Sequence, residues 1–272
     1  KVGLLADMLG TLDTVDAIAQ IEFAAGDDVV ALVFRHLQAL SEHDLAALTA
    51  FGQLHGLAIY LQPGGNSSVY PLWPERPRLA FSIHSDDARF ADVELEFQPL
   101  DFVQVNAGMN QRMVTLALQL LDLQPADRVL DLFCGLGNFT LPIARRVAAV
   151  TGVEGEAELV ARAAHNATHN GIANARFEVA NLFADQHAAA WAGQPWDKLL
   201  LDPPRAGADQ VLAYLPKAAV RRVVYVSCHP ASLARDAGIL VHQHGFTLKA
   251  AGVMDMFPHT AHVESIALFE RG

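Results

Sequence analysis

Cysteine is scarce in this chain, with only Cys134 and Cys228 among 272 residues. Two cysteines cannot form the several crosslinks of a small, disulfide-stabilised secreted protein. They fit a reducing compartment, and we expect the protein to be cytoplasmic. In such a compartment a single cysteine is either buried in a core or exposed as a reactive thiol.

Basic residues are also few, since 19 Lys and Arg stand against 30 Asp and Glu, a formal net charge of −11. Phosphate binding needs cations, so this balance taken alone argues against a nucleic-acid partner. The shortage of basic residues is confined to the first part of the chain. Residues 1–107 carry 5 basic and 15 acidic residues, and residues 108–272 carry 14 basic and 15 acidic residues. The second part is close to neutral, which leaves a nucleic-acid substrate open.

The sequence has no hydrophobic run long enough to cross a bilayer, and its apolar opening is interrupted by Asp7. We predict neither a membrane span nor a signal peptide. The first residue is Lys rather than Met, which predicts a fragment or a processed chain. A composition of 52% hydrophobic and 18% charged residues is typical of a folded globular protein.

The patterns that are present divide the chain into two domains. Residues 1–107 predict a smaller α+β domain, with a hairpin around Gly26 and a helix that begins at Ser41. Further strands are predicted near 57–62, 79–83, 93–97 and 102–105. Residues 63–68 are predicted to form a loop, within a Pro/Gly-rich stretch (63–77) that we expect to be a flexible excursion. Residues 108–272 alternate between strand and helix patterns and close with two consecutive strands, which predicts a Rossmann-like, doubly wound α/β sheet. Ligands of such sheets bind at the carboxyl ends of the strands.

A glycine-rich turn follows the first strand of the second domain, in "VLDLFCGLGNFT" (129–140). Gly135 and Gly137 permit a tight turn and a close approach of a ligand, but Thr140 replaces the third glycine of the dinucleotide fingerprint. A compact nucleoside is therefore favoured over a pyrophosphate ligand. Glu154 ends the next strand, where it can bind ribose hydroxyls, and Asn181 can meet an adenine edge. The alternatives are a turn without a ligand and a surface glutamate.

Two further strands end in residues whose side chains can take part in a reaction. "LLLDPPRAGA" delivers Asp202 onto a rigid Pro-Pro segment, and "VVYVSCHP" ends at Cys228. A thiol beside a nucleoside site can serve as a nucleophile, although a structural cysteine is the commoner case. Cys134 lies inside the glycine turn and is predicted to be structural. Glu264, at the start of the last strand, is a candidate general base.

Two pairs of histidines are candidate metal ligands, His165 with His169 and His259 with His262. No cysteine or carboxylate completes either set at a spacing typical of zinc sites. We predict no metal site in this chain.

Five blocks of the sequence resemble the RNA uracil-5-methyltransferases that use S-adenosylmethionine, most closely the branch that modifies 23S ribosomal RNA. They are "DFVQVNAGMNQRMV", "VLDLFCGLGNFTLPIA", "LLLDPPRAGA", "YVSCHPASLARD" and "DMFPHTAHVES". The resemblance implies a class I methyltransferase fold in residues 108–272. It implies that Cys228 is the nucleophile, that Glu264 accepts a proton, and that Asp202 helps to orient the uracil. It also implies a set of S-adenosylmethionine-binding residues: Gln104, Phe133, Asn138, Glu154, Asn181 and Asp202.

In the implied chemistry, the Cys228 thiolate adds to C6 of a uridine that has left its base stack, and a methyl group is transferred to C5. The branch also carries an amino-terminal RNA-binding TRAM domain and a 4Fe–4S cluster held by four cysteines, and we expect neither in this chain. His229 stands where the family usually has Asn after the nucleophile, a change that we expect to be tolerated.

Other functions remain open at this point. An Asp-Pro-Pro strand end also suits methylation of exocyclic amines, in which case Cys228 would be incidental. Cytosine-5 methyltransferases share the thiolate strategy, and a tRNA rather than ribosomal RNA can be the substrate. A chain that binds S-adenosylmethionine without turnover, for want of an RNA-binding domain, is the non-enzymatic alternative.

Overall fold

The computed structural model describes residues 2–213 and 220–272. The chain forms two compact units, one of residues 1–81 and 96–102 and the other of residues 82–95 and 103–272. The first unit thus ends close to the predicted boundary at 107/108, but residues 82–95 join the second unit. The domain boundary itself stays a prediction.

The first unit is built around a four-stranded sheet of order β1-β2-β3-β4. The predicted hairpin is present, because β1 and β2 are antiparallel and the Gly26 N–H donates to Val29 O at 2.8 Å. The β2–β3 pair is parallel and β4 is an antiparallel edge strand. The elements are α1 (Val2–Leu9), β1 (Ile18–Ala25), β2 (Val30–His36), α2 (Glu42–His55), β3 (Leu57–Gln62) and β4 (Tyr70–Trp73).

Helix α2 begins and ends where its sequence predicts. The Ser41 hydroxyl accepts a hydrogen bond from the Asp44 N–H at 3.1 Å, an N-cap that satisfies one of the free donors of the first turn. Gly56 ends the helix in the left-handed conformation (φ 64°), which glycine adopts without steric cost. The helix buries Leu48 against the apolar face of the sheet.

Two predictions about the connecting segments were wrong. Residues 102–105 form no strand, and Phe102 and Val105 are exposed. The Pro/Gly-rich stretch 63–77, predicted to be a flexible excursion, contains β4, whereas the predicted loop at 63–68 forms no strand. The chain passes from one unit to the other three times: within β5 (Leu79–Ile83), within β6 (Val93–Phe97), which pairs with β5, and after Phe102.

The second unit confirms the predicted α/β architecture. Its seven-stranded sheet has the order β12-β13-β11-β10-β7-β8-β9, and β7 to β11 are parallel. Its strands are β7 (Arg128–Leu132), β8 (Ala149–Glu154), β9 (Ala175–Val179), β10 (Lys198–Leu201), β11 (Arg222–Ser227), β12 (Thr247–Met254) and β13 (Glu264–Glu270). Its helices are α3 (Ala107–Leu121), α4 (Thr140–Ala144), α5 (Ala157–His169), α6 (Asp209–Leu212) and α7 (Pro230–His242). A helix was predicted near 208–218, and its residues 214–218 lie outside the described residues.

The strand order reverses between β7 and β10, which lie side by side although they are far apart in the sequence. A crevice forms at such a switch point, outside the carboxyl ends of the strands. β13 is inserted antiparallel to β11, with Ser265 opposite Ser227. The start of β13 therefore lies at the same edge of the sheet as the end of β11.

The sheet core is closely packed where β8 passes the glycine-rich turn. A Cβ atom added to Gly152 would lie 2.8 Å from Cys134 Sγ and 2.9 Å from the Phe177 ring. We expect Gly152→Ala to lower the free energy of unfolding by about 1–3 kcal/mol, because neighbours in a filled core must move. Urea denaturation measures this, and Gly238→Ala is the matched control.

Gly238 lies within α7, and a Cβ there meets nothing within 4 Å. That substitution is expected to raise the free energy of unfolding by about 0.5–1 kcal/mol through helix propensity. Equal effects of the two alanines would contradict the packing argument.

Within residues 2–213 and 220–272, none of the helices has the length and apolar character needed to cross a membrane.

Candidate functional site

The carboxyl ends of four neighbouring parallel strands meet at one edge of the large sheet. β10 pairs with β7 on one side and with β11 on the other, so that Leu201 lies opposite both Leu132 and Tyr225. β7 pairs in turn with β8, where Leu132 lies opposite Val153. Several residues predicted to bind a ligand or to react therefore follow adjacent strand ends: Phe133, Glu154, Asp202 and Cys228.

The turn after β7 is held in a conformation that few residues adopt. Phe133, Gly135 and Gly137 have φ values of 65°, 54° and 99°. Left-handed backbone is strained for a bulky residue such as Phe133, and strain of this kind concentrates at functional sites. The turn thus places the aromatic side chain of Phe133 at the switch point.

Glu154 braces this turn. One carboxylate oxygen accepts the Gly135 N–H at 3.1 Å, and the other accepts the N–H groups of Gly155 at 2.6 Å and Glu156 at 3.3 Å. A carboxylate offers about four acceptor positions, so three are used and one stays free for a donor such as a hydroxyl group. The predicted ligand role of Glu154 fits this remaining position.

Asn181 follows β9 and is exposed. Its Oδ1 accepts the Phe183 N–H at 3.0 Å, so the group left for a ligand is the Nδ2 donor. The same turn places the Phe183 ring 5.7 Å from that of Phe133, with the rings tilted by 52°. Phe183 is 46% exposed and was not predicted to belong to the site. The two rings and the amide offer apolar faces and one donor, a set that suits a purine.

Asn138 and Gln104 complete the predicted ligand-binding set. The Asn138 amide forms a reciprocal pair with the buried amide of Asn110 on α3, at 2.9 and 3.0 Å. This pair fixes the glycine turn to α3, and Asn110 had no signal in the sequence. Gln104 Oε1 is buried and has no hydrogen-bond partner among the described residues.

Asp131 lies beneath the turn and is fully buried. Thr140, at the position of the missing third glycine, donates its hydroxyl to Asp131 Oδ2 at 2.5 Å, whereas Oδ1 has no partner in the described part of the chain. Burial, with a contribution from the Glu154 charge, raises the pKa of Asp131 to about 7. The glycine-rich turn therefore lies over a buried acid, one oxygen of which has no partner among the described residues.

Asp202 follows β10, and its N–H donates to Leu132 O at 3.3 Å. Burial raises the pKa of Asp202 to about 8, and the charges of Glu264 and Asp131 add to this shift. Asp131, Asp202 and Glu264 thus lie near one another, and ionisation of one disfavours ionisation of the others. Such an arrangement favours a cationic ligand.

The pKa shifts of Asp131 and Asp202 predict how stability depends on pH. Both pKa values lie above the ordinary 3.8, so the folded chain binds more protons than the unfolded chain between about pH 4 and pH 8. Without a ligand, the free energy of unfolding should therefore fall as the pH rises through this range. Asp202→Asn should remove part of the loss and be more stable than the wild type at pH 8.5, by about 1–3 kcal/mol.

Chemical denaturation at intervals from pH 5 to pH 9 measures this difference. Asp209→Asn, the same change at a partly exposed carboxylate, is the control and should follow the wild-type curve. Parallel curves for Asp202→Asn and the wild type would contradict the assignment of the charge to Asp202.

The two cysteines lie in different environments. Cys134 is 4% exposed and packs beneath the turn, and burial raises its pKa. Cys228 follows β11 and is half-buried. Burial also raises the pKa of Cys228, and the negative charges of Glu264 and Asp202 contribute. Only Cys228 combines access from solvent with neighbouring acids.

Glu264 opens β13 and is 3% exposed. Ser265 is the last residue of β13 that pairs with β11, opposite Ser227, and its hydroxyl donates to Ser227 O at 3.0 Å. Glu264 and Cys228 each lie one residue beyond this pair, at the same end of the ladder, and the charge of Glu264 acts on the thiol. Burial raises the pKa of Glu264, which makes it a better proton acceptor once ionised.

His229 begins helix α7 beside the nucleophile candidate. Its Nδ1 lies 2.8 Å from Ser232 Oγ and 3.3 Å from Ser232 N, so the imidazole occupies the N-cap position. Asn is a preferred residue at such a position, which explains how histidine can replace it here. His262 Nδ1 lies 3.4 Å from Arg205 Nη1, next to a permanent cation.

Comparisons with known proteins match the chain to one family. The family model described as tRNA (uracil-5-)-methyltransferase matches residues 84–272. The chain is 61% identical, over 271 residues, to the 23S rRNA (uracil(1939)-C(5))-methyltransferase RlmD of Xanthomonas oryzae pv. oryzae. It is 58% identical to the RlmD of Xylella fastidiosa. All of this chain is covered in both cases, but only 60% of each relative.

Solved structures confirm the predicted fold. The tRNA (uracil-54, C5)-methyltransferase of Pyrococcus abyssi, solved with S-adenosyl-L-homocysteine, has a TM-score of 0.68 and 22% identity, covering 91% of this chain and 58% of that one. Trm5b of the same organism has a TM-score of 0.56 and 12% identity, covering 92% of this chain and 74% of that one. The family model and the curated relatives together show that the chain belongs to the tRNA (uracil-5-)-methyltransferase family.

Proposed function

We propose that the protein transfers a methyl group from S-adenosylmethionine to C5 of a uridine in RNA, by way of a covalent bond between Cys228 and C6. The observation that carries this proposal is the register of β11 and β13. It sets an accessible thiol beside a buried carboxyl group, with Asp202 close enough for its charge to act on the thiol. Uracil-5 methylation needs a nucleophile and a base at one face of a ring.

S-adenosylmethionine fits the groups at the switch point. Gln104 Oε1 and Asp131 Oδ1 are buried and have no hydrogen-bond partner among the described residues, and Asp202 adds a further carboxyl group. Acceptors of this kind suit a ligand that carries ammonium and sulfonium charges. We assign the nucleoside portion to the free position on Glu154 and to the Asn181 amide. Asn138 holds the turn, and Phe133 covers the base. When bound, S-adenosylmethionine supplies an electrophilic methyl group.

Each residue then has a defined step. The Cys228 thiolate adds to C6 of uracil, and the electron pair of the C5–C6 bond moves into the ring as an enolate, which makes C5 nucleophilic. After C5 has gained the methyl group, it carries both that group and its original proton. Glu264 removes the proton, the C5–C6 double bond re-forms, and Cys228 leaves as a thiolate. Asp202 orients the uracil.

The raised pKa of Cys228 is consistent with a thiol that is activated only when the site is filled. The charges of Glu264 and Asp202 disfavour the thiolate in the ligand-free protein. A cationic ligand held by Asp202 offsets that charge, so cofactor binding favours ionisation of the thiol. Because the thiol ionises more readily after the cofactor has bound, its reaction with other electrophiles beforehand is limited.

The proposed substrate is a uridine of 23S ribosomal RNA, flipped out of its stack, which places the activity in the cytoplasm. Support comes from the curated relatives, whose names state this substrate. A base in a stacked helix cannot present its C6 to a side chain, and extrusion costs only a few kcal/mol.

Methyl transfer from radiolabelled S-adenosylmethionine tests the proposal. The substrates are a transcript of the 23S segment and a transcript in which the candidate uridine is replaced by cytidine. The enzymes are the chain alone and the chain preceded by the amino-terminal region of the Xanthomonas relative. Label recovered as 5-methyluridine, and only from the uridine transcript, is the expected result. Label on an exocyclic amine or on cytosine, or no label with either enzyme, would overturn it.

A further inference from the structure

Helix α7, which begins two residues after Cys228, holds the loop that follows Asp202. The Ser232 hydroxyl donates to Arg205 O at 2.5 Å, and Arg235 Nη2 donates to Ala206 O at 2.8 Å. One turn further along the helix, Asp236 Oδ2 accepts the Ala208 N–H at 2.7 Å. Three backbone groups within four consecutive loop residues are thus bonded to side chains of one helix.

Asp236 is the buried centre of this arrangement, with no exposed surface. Besides the Ala208 N–H, its Oδ2 accepts the Tyr225 hydroxyl at 2.5 Å, and its Oδ1 accepts Arg235 Nε at 2.8 Å. Tyr225 belongs to β11, the strand that delivers Cys228. A buried carboxylate that loses such partners is costly, so these bonds define one arrangement of strand, helix and loop.

The loop also fits tightly against the helix. Gly207 has a φ of 85°, and a Cβ atom there would lie 2.4 Å from Arg235 Nη2 and 2.6 Å from Asp236 Oδ2. The loop backbone can approach the helix this closely only because residue 207 has no side chain. The loop and α7 are therefore packed so closely that no side chain fits at residue 207.

From these contacts we infer that Asp236 is a positioning residue that fixes the Asp202 loop relative to Cys228. It ties the backbone after Asp202 to the strand and the helix on either side of the thiol. Catalytic groups must be held to within a fraction of an ångström, and a displacement of about 1 Å can cost about 100-fold in rate. The inference rests on the proposed function for treating Asp202 and Cys228 as members of one reactive site.

The thiol of Cys228 reports the position of Asp202 without RNA or cofactor. The groups that act on this thiol are Glu264 from β13 and Asp202 and Arg205 from the loop, whereas Asp236 is not among them. Because Cys134 is buried, iodoacetamide reacts with Cys228 alone in the folded chain. The rate of alkylation against pH gives the midpoint at which the thiolate forms.

Alkylation profiles of four variants test the inference. Asp202→Asn removes the charge and should lower the midpoint. Asp236→Asn should shift it in the same direction by about half a pH unit, because the released loop carries Asp202 away from the thiol. Ser232→Ala removes one loop contact and should give a smaller shift, which also keeps the inference testable if Asp236→Asn does not fold. Asp209→Asn, which removes the outer ion-pair partner of Arg235, should leave the midpoint unchanged.

Midpoints equal to the wild type in both Asp236→Asn and Ser232→Ala would overturn the inference and leave these residues a structural role only. That result would say nothing against methyl transfer. Conversely, an inactive wild-type enzyme with the expected shifts would refute the proposed function while the positioning of the loop stood. Circular dichroism at each pH confirms that the compared variants are folded.

Discussion

Cys228→Ala is expected to abolish methyl transfer, lowering the rate by about four orders of magnitude or more. Without the thiolate, C6 of uracil receives no nucleophile and C5 stays too electron-poor to accept a methyl group. The measurement is covalent trapping. The protein is mixed with S-adenosylmethionine and an RNA in which the target is 5-fluorouridine, and adducts are separated on a denaturing gel. Fluorine cannot leave as a proton, so attack by the thiol should stall as a protein–RNA adduct.

Cys134→Ala is the matched control for that experiment. It makes the same chemical change at the other cysteine, which is 4% exposed and packs against Gly152. The variant should form the adduct as the wild type does, at some cost in stability. An adduct that persists in Cys228→Ala would show that another group attacks the ring, and that the register of β11 and β13 was misinterpreted.

Glu264→Gln is expected to stop the reaction after methyl transfer rather than before it. The amide keeps the shape of the side chain but cannot take up the C5 proton, so Cys228 cannot leave the methylated ring. We expect turnover to fall by about 100- to 10,000-fold. At the same time a methylated protein–RNA adduct should accumulate on ordinary uridine, which the wild type resolves.

Gel analysis of the adduct, with label in the methyl group, distinguishes the two possible roles of Glu264. Labelled adduct places the residue at proton removal, whereas absence of both adduct and product would assign it to binding or to activation of the thiol. Glu270→Gln at the other end of β13 is the control, since that carboxylate pairs with Arg222 and should leave turnover unchanged.

The main architecture was predictable because its signals are local. Alternating apolar strands and amphipathic helices from residue 108 onward define a doubly wound sheet, and such a sheet has its ligand site at one edge. The residues that follow strand ends, such as Glu154, Asp202 and Cys228, could therefore be predicted to lie at one site from the sequence pattern. Their chemical roles, argued from residue type and position and from the family resemblance, remain proposals.

Residues that act through long-range contacts could not be found in this way. Asn110 meets Asn138 across 28 positions of sequence, and nothing around either residue indicates the pairing. Asp236 looks like an ordinary helical acid, and only the fold shows that it bonds to the Asp202 loop. Phe183 follows a strand end but carries no motif, so its ring beside Phe133 had no signal.

The two wrong segment predictions have the same physical origin. Residues 102–105 alternate in a strand-like way, but a strand needs a neighbouring edge, and no strand of the described structure pairs with them. Tyr70–Trp73 contains a proline, which excludes a central strand but is tolerated on an edge such as β4. The local sequence shows whether a segment is able to form a strand, but it forms one only where a neighbouring strand can pair with it.

The place of β13 between β11 and β12 also sets an order of assembly during synthesis. β12 is made before β13 but pairs only with it, so β12 has no place in the sheet until β13 has been translated. Until then β11 exposes an unpaired edge, and the carboxyl group beside Cys228 is missing. A chain that ends before residue 264 would therefore have an open sheet edge, to which strands of other chains can add, and would lack the carboxyl group that we propose removes the C5 proton.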